Sequence, residues 1–480
     1  MLKISPMPIP VVALLLASFL ISCSVETTQS AILPPEENQG SLKAKEVVIF
    51  SVNDVHGSID NFAKIKPILE EARRESQSVY FVSAGDLFSG NPIVDFHPEK
   101  GYPLIDLLSK TGLDVNAVGN HEFDYGQEVL AARVNQASFD FICSNVEPGT
   151  GQLEDFPDYT VIQKGPVKIA FVGIVETGSR GGYPLTHPKK IQGLEFQDGN
   201  TAFNRFKNLK AETGADLLVA LTHQGEKKDR DLLDGFDFID LVIGGHTDQI
   251  YGYSLNDKFM VMSGKRLETM GKTTLKIAED GSIDYDFEII DLAAEAALDT
   301  ELLSLIETYN NRPEFYETIG TSGLDHSHAE TSCFYTDALR FVTESDFTIQ
   351  NRGGVRASLE IGPITPFDIY SIDPFGNGLE AYEISVGALE DLLEQINKSY
   401  SYSSDFTLER YGDQIELTQG GTQLPDNMML TFALNDYITN EFGDLFGTPT
   451  VSFEMTTADY IIEYLKTMNP GVIDYQGCSR

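Results

Sequence analysis

The chain has 480 residues, room for two or three domains, and carries 73 acidic against 34 basic side chains, a formal net charge of -39. A surface so negative repels nucleic-acid polymers and anionic membranes over long range, so no nucleic acid is expected as a partner. An anionic small molecule would have to be captured locally, by metal ions and a few arginines.

Lys3 precedes PVVALLLASFLIS, an apolar stretch too short and too N-terminal for a spanning helix, which reads as a secretory signal peptide over residues 1–22. It ends in Leu20-Ile21-Ser22-Cys23, similar to the bacterial lipobox. Cys23 is therefore expected to carry the lipid of an exported lipoprotein, anchored to a membrane in the periplasm or at the cell surface. Residues 23–43 are polar and include Pro34 and Pro35, as suits a lipidated tether.

From Val47 to about Asp291, apolar runs alternate with helical stretches such as FAKIKPILEEARRES and TAFNRFKNLKAETG, which predicts a layered α/β domain over residues 44–291. Five of the runs end in potential metal ligands. They are VVIFSVND at Asp54 and His56, VYFVSAGD at Asp86, VNAVGNHE at Asn120 and His121, LLVALTH at His223, and LVIGGHTD at His246 and Asp248. Short apolar stretches without a period suit strands buried on both faces, and a polar residue at a strand's carboxyl end reaches the crevice where ligands bind. His56, His121, His223 and His246 all follow such strands, whereas His97 and His187 precede prolines in turns.

Carboxylate, amide oxygen and imidazole without thiolate suit Zn, Mn, Fe or Co rather than Ca or Mg alone. Two divalent metal ions about 3.5 to 4 Å apart need one group that can hold both, and Asp86 is the natural bridge. In HEFD, the spacing of His121 and Asp124 lets the carboxylate reach back to the imidazole; alternatively Asp124 caps the helix YGQEVLAARVN.

Residues 281–291 alternate like an exposed antiparallel strand, and LAAEAALDTELLSLIETYNNR then carries helical periodicity ended by Arg312-Pro313. Residues 292–318 are taken as a linker helix and residues 319–480 as a second domain. With Cys23 lipidated, Cys143, Cys333 and Cys478 form an odd set with distant spacings, from which no disulfide framework is read. Cys143, in FDFICSNV, suits a buried thiol.

Together, NDVHG, AGD, GNHEFDYG, LTHQG and GGHTD resemble the metallophosphoesterase domain of the 5'-nucleotidase family, which includes periplasmic UDP-sugar hydrolases and cell-surface ecto-5'-nucleotidases. The resemblance implies an N-terminal four-layer αββα domain, a linker helix and a smaller α+β substrate-binding domain. It implies one metal on Asp54, His56, Asp86 and Asp248, and the other on Asp86, Asn120, His223 and His246. Asp248 stands where the family commonly has Gln, Asn or His. His121 and Asp124 would form the catalytic dyad that stabilises charge on the transferring phosphoryl group and leaving oxygen, while a metal-bound hydroxide attacks.

Asn351-Arg352-Gly353-Gly354-Val355-Arg356 resembles the family's Asn-Gly-Gly-Gly-Ile-Arg loop. By position, Arg356 would bind phosphate and Asn351 the base or ribose. Arg352 replaces a glycine, and either adds a phosphate ligand or blocks close approach of the backbone. Phe375 and Phe446, with Phe442 as the alternative to the latter, fall where the family places two rings that sandwich a nucleobase. Relatives carry arginines shortly upstream, where this chain reads GLDHSHAETSCFYTDAL; His326 and His328 there read as a solvated loop. The resemblance implies a C-terminal domain that swings to carry substrate onto the metals. The function so implied is hydrolysis of nucleotide phosphomonoesters. Its rivals are hydrolysis of 2',3'-cyclic nucleotides or nucleotide sugars, and nucleotide binding without turnover by a surface lipoprotein.

Overall fold

A computed structural model describes residues 45–179, 181–396, 400–468 and 471–479. The signal peptide, the tether and Cys23 lie outside the described residues.

The apolar runs form two six-stranded sheets. The first has the order Ile283–Asp291, Thr269–Ile277, Lys45–Val52, Val79–Ser83, Val115–Ala117, Asp140–Ile142. The second runs Ile250–Leu255, Lys258–Ser263, Leu241–Ile243, Leu217–His223, Val167–Val175, Tyr159–Lys164. Val47, Ile49, Tyr80, Val82, Phe171, Val219 and Leu221 fill the space between the sheets. Side chains at alternate positions point the other way. Phe50, Phe81 and Val118 meet helix residues such as Phe62, Leu69 and Leu104, and Ala170, Val172 and Ala220 meet Phe203, Phe206, Leu232 and Leu233. Burying both faces of a strand removes the period-2 signal, which is why these runs are apolar throughout. The result is the four-layer αββα arrangement.

The strands that precede the predicted ligands are parallel within each sheet, Lys45–Val52 with Val79–Ser83 and Val115–Ala117 in one, Leu217–His223 with Leu241–Ile243 in the other. Their carboxyl ends therefore open on one edge. Ile283–Asp291 is the expected exposed antiparallel strand, paired with Thr269–Ile277. TAFNRFKNLKAETG is not one helix: it breaks into Gly199–Phe203, a 3-10 turn at Asn204–Phe206, and Leu209–Thr213. Asn204 and Asn208, poor helix formers, stand at the breaks.

Within residues 292–318 the helix proper is Thr300–Asn310, N-capped by Asp299, whose carboxylate accepts the Leu302 amide (2.8 Å). Leu302 and Ile306 bury against the first domain, so this helix is part of that domain's outer layer. The second domain has a five-stranded sheet, ordered Tyr400–Ser404, Phe347–Asn351, Met429–Asn435, Leu379–Ser385, Val451–Ser452, with helices His328–Thr343 and Val386–Gln395 and a hairpin of short strands. It is an α+β domain.

Two expectations are corrected here. Cys333 and Cys478 form a disulfide, while Cys143 is the buried free thiol. The odd count concealed a simple pair because one of the three sulfurs is spent in the core. His326 is not solvated: it is 4% exposed, accepts the Tyr475 amide at Nε2 (3.1 Å) and meets Ser322 Oγ at Nδ1 (3.1 Å). It ties the C-terminal segment to the second domain. His328 is exposed, but its Nε2 donates to the Val355 carbonyl (2.7 Å).

Candidate metal centre and substrate cavity

Each predicted ligand sits at the end of a strand or on the turn just beyond one, and five of them adopt left-handed backbone: Asp54 (φ 49°), His56 (47°), Asp86 (55°), His246 (82°) and Asp248 (56°). Asp, Asn and His tolerate this region better than other side chains, yet the conformation still costs energy. Its effect is to turn consecutive side chains toward one point. Gly245 is required by close approach: a Cβ there would lie 2.7 Å from both the Ala84 carbonyl and His223 Nδ1.

Hydrogen bonds then orient the ligands. His56 Nδ1 donates to the Ser89 carbonyl (3.0 Å) and His223 Nδ1 to the Ala84 carbonyl (2.7 Å), leaving each Nε2 available to a metal ion. Asp54 accepts from Asn53 Nδ2 (2.5 Å) and from the His246 amide (3.0 Å). His246 Nδ1 faces Asn120 Oδ1 at 3.1 Å. His223 Nε2 lies 2.9 Å from Asp86 Oδ2, fully buried and, among the described residues, with no hydrogen-bond partner. A buried imidazole nitrogen and a carboxylate oxygen held this close without an aligned hydrogen bond between them suit two donors to one divalent ion.

Ligand atoms fall into the groups Asp54–His56–Asp248, Asp86–His223–His246 and His56–Asp86–His121, each within 4.8 Å. Asp86 is shared by two of them. Burial alone would raise the Asp86 carboxyl, but the His223 and His121 imidazoles outweigh it and hold it well below the usual carboxylate range. Asp54, for which burial dominates, is pushed up to about 6. Buried carboxylates and imidazoles with so little other compensation fit divalent cations.

Glu122 was missed by sequence reasoning, although it lies inside GNHE. Fully buried, its carboxylate accepts the amides of Asp86 (3.0 Å) and Leu87 (2.6 Å), fixing the turn that presents Asp86.

A cavity of about 270 Å³ adjoins the ligands. His121 Nδ1 lies 2.6 Å from Asp124 Oδ2, and Thr186 Oγ1 donates to the other oxygen of Asp124 (2.7 Å). The following helix starts at Gln127 behind Gly126, with no side-chain cap, so Asp124 serves His121 and Thr186 rather than the helix. Burial disfavours a proton on His121, but Asp86 and Asp124 prevail and raise its pKa.

From the second domain come Asn351, Gly353, Arg356, Phe375, Asn377 and Tyr437. Phe375 stacks on His121, with ring centroids 5.8 Å apart and an interplanar angle of 20°. Arg356 Nη2 is 3.4 Å from His56 Nε2.

Two predicted substrate residues are not brought here. Arg352 is exposed on the 3-10 turn Arg352–Gly354, outside the cavity lining, because the turn directs positions 351, 353 and 356 inward instead. Phe446 packs against Tyr382 (5.4 Å) at the edge of the second domain's core, where Phe442 also lies. The second ring in the cavity is Tyr437, which the Asn435-capped helix Asp436–Glu441 presents. Lys190 and His187 were also missed. The loop that carries them folds over the site, and Lys190 Nζ donates to the Phe375 carbonyl (3.1 Å).

Residues 47–249 match the calcineurin-like phosphoesterase family, and residues 318–448 match the 5'-nucleotidase C-terminal domain. The chain is 24% identical over 82% of its length to the endonuclease YhcR of Bacillus subtilis, of which it spans 37%. It is 23% identical over 80% of its length to a 5'-nucleotidase of Vibrio vulnificus, of which it spans 81%. The solved structure of a 5'-nucleotidase precursor from Thermus thermophilus shares the fold, with a TM-score of 0.79 at 18% identity, covering 90% of this chain and 97% of that one. One match covers the domain that gathers the ligands and the other the domain that brings Arg356, Phe375 and Tyr437, so the chain belongs to the two-domain family of 5'-nucleotidase-like metallophosphoesterases.

Proposed function

We propose that the protein is a phosphohydrolase that cleaves phosphomonoesters of nucleotides. The observation that carries this reading is one cavity lined both by the carboxylate and imidazole cluster and by an arginine and two aromatic rings. Asp54, His56, Asp86 and Asp248 would hold one divalent ion, and Asp86, Asn120, His223 and His246 the other. Bound there, such ions supply Lewis acidity to phosphoryl oxygens and make a water molecule more acidic.

The chain's own residues do the rest. His121, with Nδ1 fixed by Asp124, keeps a proton at Nε2 for the leaving oxygen and stabilises charge as it develops. Arg356 binds phosphoryl oxygens, Asn351 the nucleoside polar groups, and Phe375 and Tyr437 offer faces to the base. Stacking of this kind accepts several bases.

The finer assignment is an extracytoplasmic lipoprotein anchored through Cys23. The Cys333–Cys478 disulfide supports export, since such bonds persist in oxidising compartments. Among the described residues no helix is long and apolar enough to cross a membrane.

The test is phosphate release by chelator-stripped protein lacking residues 1–23, with Mn, Zn, Co or Mg restored. The substrates are AMP, 2',3'-cyclic nucleotides, UDP-glucose and p-nitrophenyl phosphate. Metal-dependent release that prefers AMP is expected. Preference for the cyclic nucleotide or UDP-glucose would move the assignment to those esters, and a folded protein inactive with every metal would overturn it.

A further inference from the structure

A second arginine, Arg266, lies on the opposite domain from Arg356, by the turn that carries His56, and is not itself among the residues that line the cavity. Arg266 follows the strand Lys258–Ser263 on a turn where both it and Leu267 adopt left-handed backbone (φ 52° each). Its amide donates to the Asp54 carbonyl (2.8 Å), which pins it to the turn bearing Asp54 and His56. Gly90 lets His56 approach closely, since a Cβ there would lie 3.0 Å from the His56 carbonyl oxygen and 3.2 Å from its Cβ, and the same position is 3.6 Å from Arg266 Nη2, which places the guanidinium by the His56 turn.

The guanidinium is half-buried and, among the described residues, makes no hydrogen bond or ion pair. Burial, then the charge of Arg356, lowers its pKa; Asp248, Glu268 and Asp95 act on it without contact. Arg356 Nη2 lies 3.4 Å from His56 Nε2, and His56 feels the charge of both arginines. Two guanidinium groups whose charges both act on His56, neither paired with a carboxylate among the described residues, are costly to half-bury and unexpected in a chain of net charge -39. An anion between them resolves both costs.

We propose that Arg266 and Arg356 form a two-arginine clamp for a phosphoryl dianion, and that Arg266 sets the preference for phosphomonoesters over phosphodiesters. This rests on the phosphohydrolase reading above. A monoester offers three terminal oxygens and close to two negative charges at neutral pH, a diester two oxygens and one charge. Once Arg356 and the ions are engaged, only the monoester keeps an oxygen for a further guanidinium. Arg266 reaches it from the first domain, so it is in place whether or not the second domain moves.

The experiment compares the metal-loaded protein with Arg266→Gln and Arg266→Lys. It reads kcat and KM for p-nitrophenyl phosphate and bis(p-nitrophenyl) phosphate, inhibition by inorganic phosphate, and the thermal midpoint. Arg266→Gln should lower kcat/KM for the monoester by about 10- to 100-fold, chiefly through KM, with phosphate inhibition weakened in parallel and the diester changed by less than about threefold. Arg266→Lys should recover part of the loss, and neither variant should lower the midpoint, because no native partner is removed. Equal losses on both esters, or no loss on either, would overturn the clamp. If the unaltered protein hydrolyses neither ester, the earlier reading fails, and calorimetric binding of inorganic phosphate decides the clamp by itself: tighter in the unaltered protein supports it, equal affinity in Arg266→Gln sinks it.

Discussion

The two walls of the cavity are built on opposite plans. On the first-domain wall, Asp54, His56, Asp86, His246 and Asp248 all have positive φ, as do Ser89, Arg266 and Leu267 outside the lining, and Asp54, His56 and Asp86 are almost fully buried. In the second domain, Glu344 is the one non-glycine residue with positive φ among those described, and it lies away from the cavity. Left-handed conformations cost about 1 to 3 kcal/mol each, somewhat less for Asp, and persist only where packing over-determines them. The sheets behind the first wall supply that packing. The second wall places Asn351, Arg356, Phe375 and Tyr437 on relaxed turns and a helix start, half-exposed and adaptable. Chemistry that requires fixed distances sits where strain can be held, and substrate choice sits where small changes are cheap.

The sharpest way to break this contrast is Asp86→Ala. Loss of the shared carboxylate should reduce metal-dependent turnover by on the order of a thousandfold or more. Stability in chelator should fall, since the His121 amide loses its acceptor and the buried His223 imidazole loses the carboxylate beside it. Turnover and the thermal midpoint are measured on the same preparation. Substantial residual turnover would mean that the first wall is not organised around Asp86.

The same contrast explains how much could be read from sequence. The ligands were legible because each terminates an apolar run, and because runs buried on both faces leave a pattern that ends abruptly at His223 or at Gly244-Gly245-His246. The layered first domain followed from the same runs. The second wall has no such frame. Tyr437 follows the N-cap Asn435, whereas Phe442 and Phe446 a few residues on fill the edge of the core, and nothing in their spacing separates the two fates. Arg352 and Arg356 lie in one short loop, yet the 3-10 turn exposes one and points the other at His56. Arg266 was invisible because its position depends on a left-handed turn and on the bond of its amide to the Asp54 carbonyl, far earlier in the chain. The disulfide was hidden even though Cys143 reads as a buried thiol, because Cys333 and Cys478 are separated by 145 residues and nothing in the sequence signals that the fold brings them together.

On the adaptable wall a smaller and more selective effect is expected. Phe375→Ala removes a stacking face worth about 1 to 3 kcal/mol per base, so KM for AMP should rise by about 5- to 100-fold. Turnover of glycerol 2-phosphate, which has no ring to stack, should change much less. If both substrates lose equally, the stack of Phe375 on His121 matters for positioning the dyad, and the division of labour between the walls is less clean than their backbones suggest.

The smallest effect concerns what holds the walls together. Asp436, on the second domain, lies 3.3 Å from His187 Nε2 and 3.4 Å from Lys189 Nζ on the first, and its carboxylate also accepts the Gly378 amide (2.8 Å). Burial pushes the Asp436 carboxyl up, but the His187 hydrogen bond and charge, the Gly378 amide and Lys189 more than reverse this and bring it to about 2, from an ordinary value of 3.8. A carboxyl depressed in the folded state contributes stability that is complete above its unfolded pKa and is lost as pH falls from there through the folded value. Asp436→Asn should therefore lower the urea midpoint at about pH 6, by an amount equivalent to about 1 kcal/mol once solvent screening is allowed for, and the two proteins should draw together as pH falls from about 4 and converge only below about pH 2. A difference that stays constant across that range would assign the effect to packing of the asparagine, not to the charge that links His187 to the second domain. Convergence, with KM for AMP raised in the variant, would tie this contact to the seating of the adaptable wall against the fixed one.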